Sequence, residues 1–199
     1  MKKKIIITGG LGYIGTELCK LYSGVSWHHE IIVIDNRFIS ERVNQIRNWN
    51  MEFIQGDILN KDLVHKYCEN ADVVHHLAGV TDVPRTQSEA SRAQDEKIIE
   101  VGEKGTQNIL ESISDKCKII FPSTHVVYEG INEVKTNIME GEQLKPVLSY
   151  SSSKAINENQ LKKSGKNYVI LRLGSVYGYS TDSMRIDIMP NLFSKIASQ

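Results

Sequence analysis

The 199-residue sequence carries no excess of either charge, few cysteines and no long apolar run, and each absence closes off a class of function. Lys plus Arg and Asp plus Glu both number 24, so no global field draws the chain to nucleic acid or to an anionic membrane. The three cysteines, Cys19, Cys68 and Cys117, are scattered and odd in number. They make no metal-ligand spacing and read as buried thiols of a reducing compartment. No stretch is long enough to span a bilayer. The apolar run after Met1-Lys2-Lys3-Lys4 breaks at Thr8-Gly9-Gly10, too soon for a signal peptide. A cytoplasmic location follows by default, with no nucleic-acid or membrane partner. Nor is there an internal repeat, a low-complexity segment or a long linker. His75 and His76 are neighbours on a strand, so they face opposite ways and are poorly placed to share a metal. His28-His29 has no spaced partner. No metal site is expected.

What is present is an alternation. Apolar, β-branched runs predict strands at Ile5–Thr8, Ile31–Asp35, Met51–Gln55, Val73–Leu77, Ile119–Pro122 and Tyr168–Arg172. Between them, helical patterns fall at Ile14–Tyr22, Lys61–Cys68, Asp95–Ser112 and Tyr150–Lys163, and a further helix at Asn191–Ser198. Short, nearly continuous apolar strands alternating with helices predict a parallel sheet covered on both faces. Right-handed crossovers then give an α/β, doubly wound fold of the Rossmann type. Gly130–Pro146 is polar and reads as a loop.

The first strand runs into Thr8-Gly9-Gly10-Leu11-Gly12-Tyr13-Ile14-Gly15. Glycines at 9, 12 and 15 suit a tight turn, close backbone approach to a pyrophosphate, and close packing of helix on strand. The helix start offers free N–H groups and a positive dipole end. The second strand ends at Asp35, 20 residues past Gly15, where a carboxylate can accept from adenosine ribose hydroxyls. A carboxylate there repels a 2′-phosphate, so NAD is favoured over NADP, although Arg37 is placed to offset that charge. Asp57 follows the third strand and can either meet the adenine or cap a helix before Leu59.

Tyr150 and Lys154 stand four apart in Tyr-Ser-Ser-Ser-Lys, which puts both on one helix face. A nearby ammonium favours the phenolate and lets Tyr150 exchange a proton near neutral pH. Ser123 and Thr124 stand just past a strand end, where ligands bind in open α/β sheets. Either hydroxyl could meet a sugar oxygen.

Taken in order, TGGLGYIG, Asp35, HLAG at 76–79, STHVVY at 123–128, YSSSK at 150–154 and LRLGSVYG at 171–178 resemble the extended short-chain dehydrogenase/reductases. Within that family the nucleotide-sugar epimerase/dehydratase group is the most similar. The resemblance implies a Rossmann domain over 1–178, with 179–199 opening a C-terminal substrate lobe that is largely absent. It implies NAD held by Gly9, Gly12, Tyr13, Ile14, Gly15, Asp35, Asn36, Asp57, Ile58, Leu77, Ala78, Gly79, Tyr150 and Lys154. It implies a catalytic set of Thr124, Tyr150 and Lys154. Tyr150 would be the acid/base, Lys154 would lower its pKa and hold the nicotinamide ribose, and Thr124 would orient a substrate hydroxyl. The expected activity is nucleotide-sugar epimerisation through a transient keto-sugar. A reductase or dehydrogenase of the same family, or an NAD-binding sensor without catalysis, are the alternatives. Relatives often form homodimers through a helix bundle.

Four departures stand out. The 4,6-dehydratase branch has Asp-Glu after the catalytic threonine, and here those positions are His125 and Val126, which counts against dehydration. Tyr128 is followed by Glu129-Gly130, not directly by glycine, which alters the loop approaching the substrate. Gly102 replaces an asparagine common in relatives, at a helix cost of about 1 kcal/mol against alanine. A chain without the C-terminal lobe should bind NAD yet turn over poorly, because remote binding energy positions the reacting centre. Thr81, Asp82 and Arg85 are expected on a loop near the nicotinamide. Arg172 is left open between a structural and a substrate role.

Overall fold

A computed structural model describes residues 2–81, 91–180 and 183–199. Six strands, β1 (Lys4–Thr8), β2 (Glu30–Asp35), β3 (Glu52–Gln55), β4 (Val73–His76), β5 (Lys118–Thr124) and β6 (Asn167–Leu173), pair in parallel. Their order is β3-β2-β1-β4-β5-β6, so strand direction of growth reverses between β1 and β4. Helices α1 (Tyr13–Ser23), α2 (Ser40–Asn48), α3 (Lys61–Cys68), α4 (Arg92–Ser112) and α5 (Ser149–Lys163) alternate with the strands, and α6 (Met189–Ala197) follows β6.

Strand alternation divides the core into two layers. Ile6, Ile32, Ile34 and Val74 face one way and pack with Val64 of α3, Ile109 of α4 and Leu161 of α5. Ile5, Ile7, Ile31 and Val33 face the other way and pack with Cys19 of α1 and with Val43 and Ile46 of α2. Successive strand side chains point to opposite faces, so near-continuous isoleucine and valine is what a doubly covered sheet requires. All three cysteines are buried, free thiols. Burial pushes Cys19 and Cys68 up to about 12 and Cys117 to about 11, so they stay protonated.

Helix α2 was not predicted. Only Val43 and Ile46 of its nine residues are buried, so it shows no apolar period. Strand β5 runs two residues beyond the predicted end. Its pairing with β4 reaches only Ile120, but β6 continues alongside to Thr124. No helix among the described residues is long and apolar enough to cross a membrane.

Candidate functional site

The switch in strand order leaves β1 and β4 side by side with their following chains running to opposite faces, which is where open α/β sheets hold ligands. The turn after β1 is built on backbone contact. Gly9 has φ +69°, and a Cβ there would lie 2.7 Å from the Ala78 nitrogen. A Cβ on Gly15 would lie 2.4 Å from the Gly9 carbonyl oxygen. Both positions therefore exclude a side chain, one for conformation and closeness and the other for closeness alone. Helix α1 starts from Gly12, which offers no side-chain cap, so its first-turn N–H groups are left for an anion.

Asp35 is buried at the end of β2. Its Oδ2 accepts from the Leu11 N–H at 3.0 Å, which ties the glycine turn to β2. Its Oδ1 accepts from the Arg37 N–H at 3.0 Å and from Arg37 Nε at 3.2 Å. Arg37, whose side chain is half exposed, reaches back over the turn, its Nη2 3.9 Å from where a Gly12 Cβ would stand. Asn36 donates to Asp57 Oδ2 at 3.1 Å, and Asp57 Oδ1 accepts from the Leu59 N–H at 2.9 Å. Of the two readings of Asp57, the cap is corrected in part: Asp57 holds the turn through Leu59, but α3 is capped by Asn60, whose side chain accepts from the Leu63 N–H. Ile58 serves the core. It is buried, and its side chain fills the space over Gly105.

On the β4 side, Thr8, His76 and Thr106 form a buried chain. His76 Nδ1 lies 3.0 Å from Thr8 Oγ1 and Nε2 lies 3.1 Å from Thr106 Oγ1. Thr8 Oγ1 also accepts from the Ala78 N–H at 3.2 Å, holding the Leu77–Gly79 segment against β1. Burial, helped by the charge of Lys154, pushes His76 down to about 3, so it is a neutral spacer. His75 faces the other layer, where its Nε2 lies 2.8 Å from the Tyr22 hydroxyl. The two rings thus point apart, as strand geometry requires. Among the described residues no group of three His, Cys, Asp or Glu could hold a metal.

The third wall comes from β5, α5 and β6. Ser123 and Thr124 part company here. Ser123 Oγ donates to Glu158 Oε1 at 2.6 Å inside the protein. Thr124 Oγ1 accepts from the Val126 N–H at 3.3 Å and caps the 3-10 turn His125–Tyr128, and among the described residues its O–H has no acceptor. His125 is exposed, with Nδ1 3.2 Å from the Leu173 carbonyl oxygen. On α5, Lys154 Nζ donates to the Pro122 carbonyl at 2.9 Å. It lies 4.4 Å from the centre of the Phe121 ring and 5.8 Å from that of Tyr150. Burial pushes Lys154 down to about 8. Tyr150 is pushed up by burial, opposed by Arg185. Lys154, expected from the Tyr-Ser-Ser-Ser-Lys spacing to be that cation, has its ammonium bound to a backbone carbonyl instead.

Arg172, open in the sequence between a structural and a substrate role, has partners in the structure. Arg172 donates to Glu158 through Nε at 2.9 Å and Nη2 at 2.7 Å, and through Nη1 to the Tyr128 hydroxyl and the Glu140 carbonyl. Burial would push Glu158 up, but bonds from Arg172 and Ser123 hold it below the ordinary carboxylate value. Gly102 also has a reason. A Cβ there would lie 2.0 Å from Ser153 Oγ, and Asn157 donates to the Gly102 carbonyl at 2.9 Å. The glycine lets α5 sit close against α4. Thr81 lies at the end of the described segment, while Asp82 and Arg85 lie outside the described residues.

Tyr13, at the start of α1, donates from its hydroxyl to the Gly178 carbonyl at 2.5 Å, and Ile14 beside it is partly exposed. The glycine turn, the acidic end of β2 and the crevice between β1 and β4 define a dinucleotide-binding Rossmann protein. The chain belongs to the NAD dependent epimerase/dehydratase family, whose model matches residues 5–199.

Relatives carry several activities. The chain is 34% identical over 130 residues to UDP-N-acetyl-alpha-D-glucosaminuronate decarboxylase of Bacillus cytotoxicus, covering 64% of this chain and 38% of that one. It is 30% identical over 205 residues to CDP-paratose 2-epimerase of Salmonella typhi, covering 88% and 58%. Among solved structures it is similar to UDP-glucuronic acid 4-epimerase from Bacillus cereus in complex with UDP-glucuronic acid and NAD. That match has a TM-score of 0.76 and 27% identity, and covers 98% of this chain and 63% of that one. The chain therefore spans less than two thirds of each of these relatives.

Proposed function

We propose that the protein is an NAD-dependent nucleotide-sugar epimerase in which Tyr150 is the acid/base group. The observation that carries this reading is the end of β5. It carries the hydroxyl of Thr124, whose O–H has no acceptor among the described residues, followed by His125 and Val126 where dehydration would need two carboxylates.

The residues fit the cofactor. Gly9, Gly12 and Gly15 keep side chains out of the turn, and the uncapped start of α1 faces the pyrophosphate position. Asp35 would take the adenosine ribose hydroxyls, with Arg37 yielding its place, and its charge favours NAD over NADP. Tyr13, Ile14, Asn36, Asp57 and the Leu77–Gly79 segment would line the cradle. NAD, when bound, supplies the reversible redox step at a sugar carbon. Tyr150 would take the proton from the sugar hydroxyl as that carbon becomes a carbonyl, and give it back to the same oxygen when the carbon is reduced again from its other face. Thr124 would hold the same oxygen. Lys154 would turn from the Pro122 carbonyl toward the nicotinamide ribose and the phenol, and its ammonium would then favour the phenolate.

A homodimer through α4 and α5 would meet over polar ground. Glu100 with Lys104 and Gln107 with Glu111 occupy the exposed face of α4. Such an association would be weak and sensitive to salt.

The test uses the full chain with NAD and a panel of UDP-, GDP-, CDP- and dTDP-sugars, reading epimers by NMR. Tyr150→Phe should lower turnover by about a hundredfold to ten-thousandfold, with NAD affinity kept. Steady accumulation of NADH would instead mark a dehydrogenase. Absence of any product, with NAD still bound, would favour a sensor.

A further inference from the structure

Helix α5 begins without a capping side chain at its own N-cap. Its N-cap residue, Leu148, has no capping oxygen, and its first turn carries no acid. The first N–H groups of a helix have no partner within it, and the entering chain needs fixing from outside. A residue from a separate turn does this. Glu129 follows the 3-10 turn that Thr124 caps. Its Oε1 accepts from the Val147 N–H at 2.8 Å, the Leu148 N–H at 2.7 Å and the Ser151 hydroxyl. Ser151 Oγ accepts in addition from the Val147 N–H at 3.3 Å. Behind these contacts the two segments are paired through backbone. Gly130 N–H donates to the Lys145 carbonyl and Lys145 N–H to the Val127 carbonyl, both at 2.8 Å.

Burial would push the Glu129 carboxyl up, but the three donors hold it below its ordinary value, so it is ionised at neutral pH. A carboxylate also suits the positive end of the α5 dipole. Tyr150 lies two residues past Leu148, inside the turn that this carboxylate fastens.

We propose that Glu129 is a positioning residue whose accepting oxygen, Oε1, locks the first turn of α5 to the turn after β5, and so sets Tyr150 against Thr124. The inference rests on the acid/base role given to Tyr150 above. It also gives a purpose to the Glu129-Gly130 departure, which inserts a carboxylate where relatives have glycine.

The experiment compares Glu129→Ala with Glu129→Gln in the full chain. Ultraviolet difference titration against Tyr150→Phe isolates the Tyr150 phenol, and hydrogen exchange follows the Val147 and Leu148 amides. In Glu129→Ala the turn loosens and water reaches the ring. The phenol should then titrate closer to an ordinary tyrosine, and both amides should exchange about tenfold faster or more. Glu129→Gln keeps an accepting oxygen and should retain most of both signals. If Glu129→Ala does not fold, Glu129→Asp, one methylene shorter, takes its place with the same expectations. Two results overturn the proposal: no change of the phenol in Glu129→Ala, whatever its melting temperature, or an equal change in Glu129→Gln, which would mean charge alone. Full turnover in Tyr150→Phe would defeat the acid/base role separately, with the two spectroscopic outcomes still readable.

Discussion

At the β1–α1 turn backbone meets backbone, while at the β5–α5–β6 corner charged side chains meet in the interior. The first region works by what is missing. Gly9 and Gly15 leave room for chain to touch chain, and an uncapped helix start is left for an anion. The second works by saturation. Glu158 is fully buried, yet both its oxygens and all three Arg172 nitrogens have partners. The first is fitted to receive a ligand. The second is a frame that ties together β5, α5 and β6, the first two of which carry Thr124 and Tyr150. Damage to the two should therefore show up in different measurements.

The largest effect is expected from Glu158→Ala. It leaves the Arg172 guanidinium, whose side chain is 14% exposed, without its carboxylate. Removing one member of a buried pair costs about 3–5 kcal/mol, because the other charge stays buried and alone. Urea unfolding should show that loss, while NAD affinity per folded molecule stays near that of the parent. Loss of NAD binding with unchanged stability would erase the contrast between the regions.

Gly15→Ala should do the reverse. The new methyl meets backbone on two sides, 2.4 Å from the Gly9 oxygen and 2.7 Å from the Gly10 Cα, and neither can swing away. The turn must open, at about 1–3 kcal/mol of stability. Titration calorimetry should show NAD binding weakened by about tenfold or more. Unaltered NAD affinity would mean that the turn is not where the cofactor sits.

These regions also differ in how far the sequence reveals them. The turn lies within one β-α-β unit, so the spacing of Gly9, Gly12, Gly15 and Asp35 carries its geometry. The frame joins Ser123, Glu158 and Arg172 across three elements, and no local pattern links them. Local pattern accordingly leaves Arg172 open and does not tell Ser123 from Thr124, which only the family resemblance separates; the structure turns Ser123 onto Glu158. Helix α2 escaped because two buried residues in nine make no period. Glu129 was visible as a departure from relatives, but its partners lie 18 and 19 residues away across a loop.

His75 and His76 sharpen the comparison through pH, since they stand between the regions. Burial pushes them down to about 4 and about 3 from 6.5. Between those values and 6.5 the unfolded chain binds more protons than the folded one, so stability falls as pH falls. Each histidine should remove about 1 kcal/mol between pH 6.5 and pH 5.5. Urea unfolding at those two pH values should show the pair's effect, and His75→Gln should reduce it by about half. A flat profile would mean that both rings take up their protons in the folded state as readily as in the unfolded one, and half the slope that only one of them does.

The smallest effect should come from Gly102→Ala, and its sign decides why the glycine is there. Alanine favours a helix over glycine by about 1 kcal/mol. Against that, the added methyl would stand 2.0 Å from Ser153 Oγ. Ser153 donates to the Ile98 carbonyl at 3.3 Å, and Asn157 and Gln160 donate to the carbonyls of Gly102 and Glu103. Moving Ser153 aside disturbs this seam between α4 and α5. The single change should therefore be neutral or slightly destabilising. The double change Gly102→Ala with Ser153→Ala removes the obstructing hydroxyl and should regain part of the helix preference. Two additive changes in urea unfolding would show that the methyl and the hydroxyl never met. A clear gain from Gly102→Ala alone would show the same, and the close approach of α5 to α4 would then need another cause.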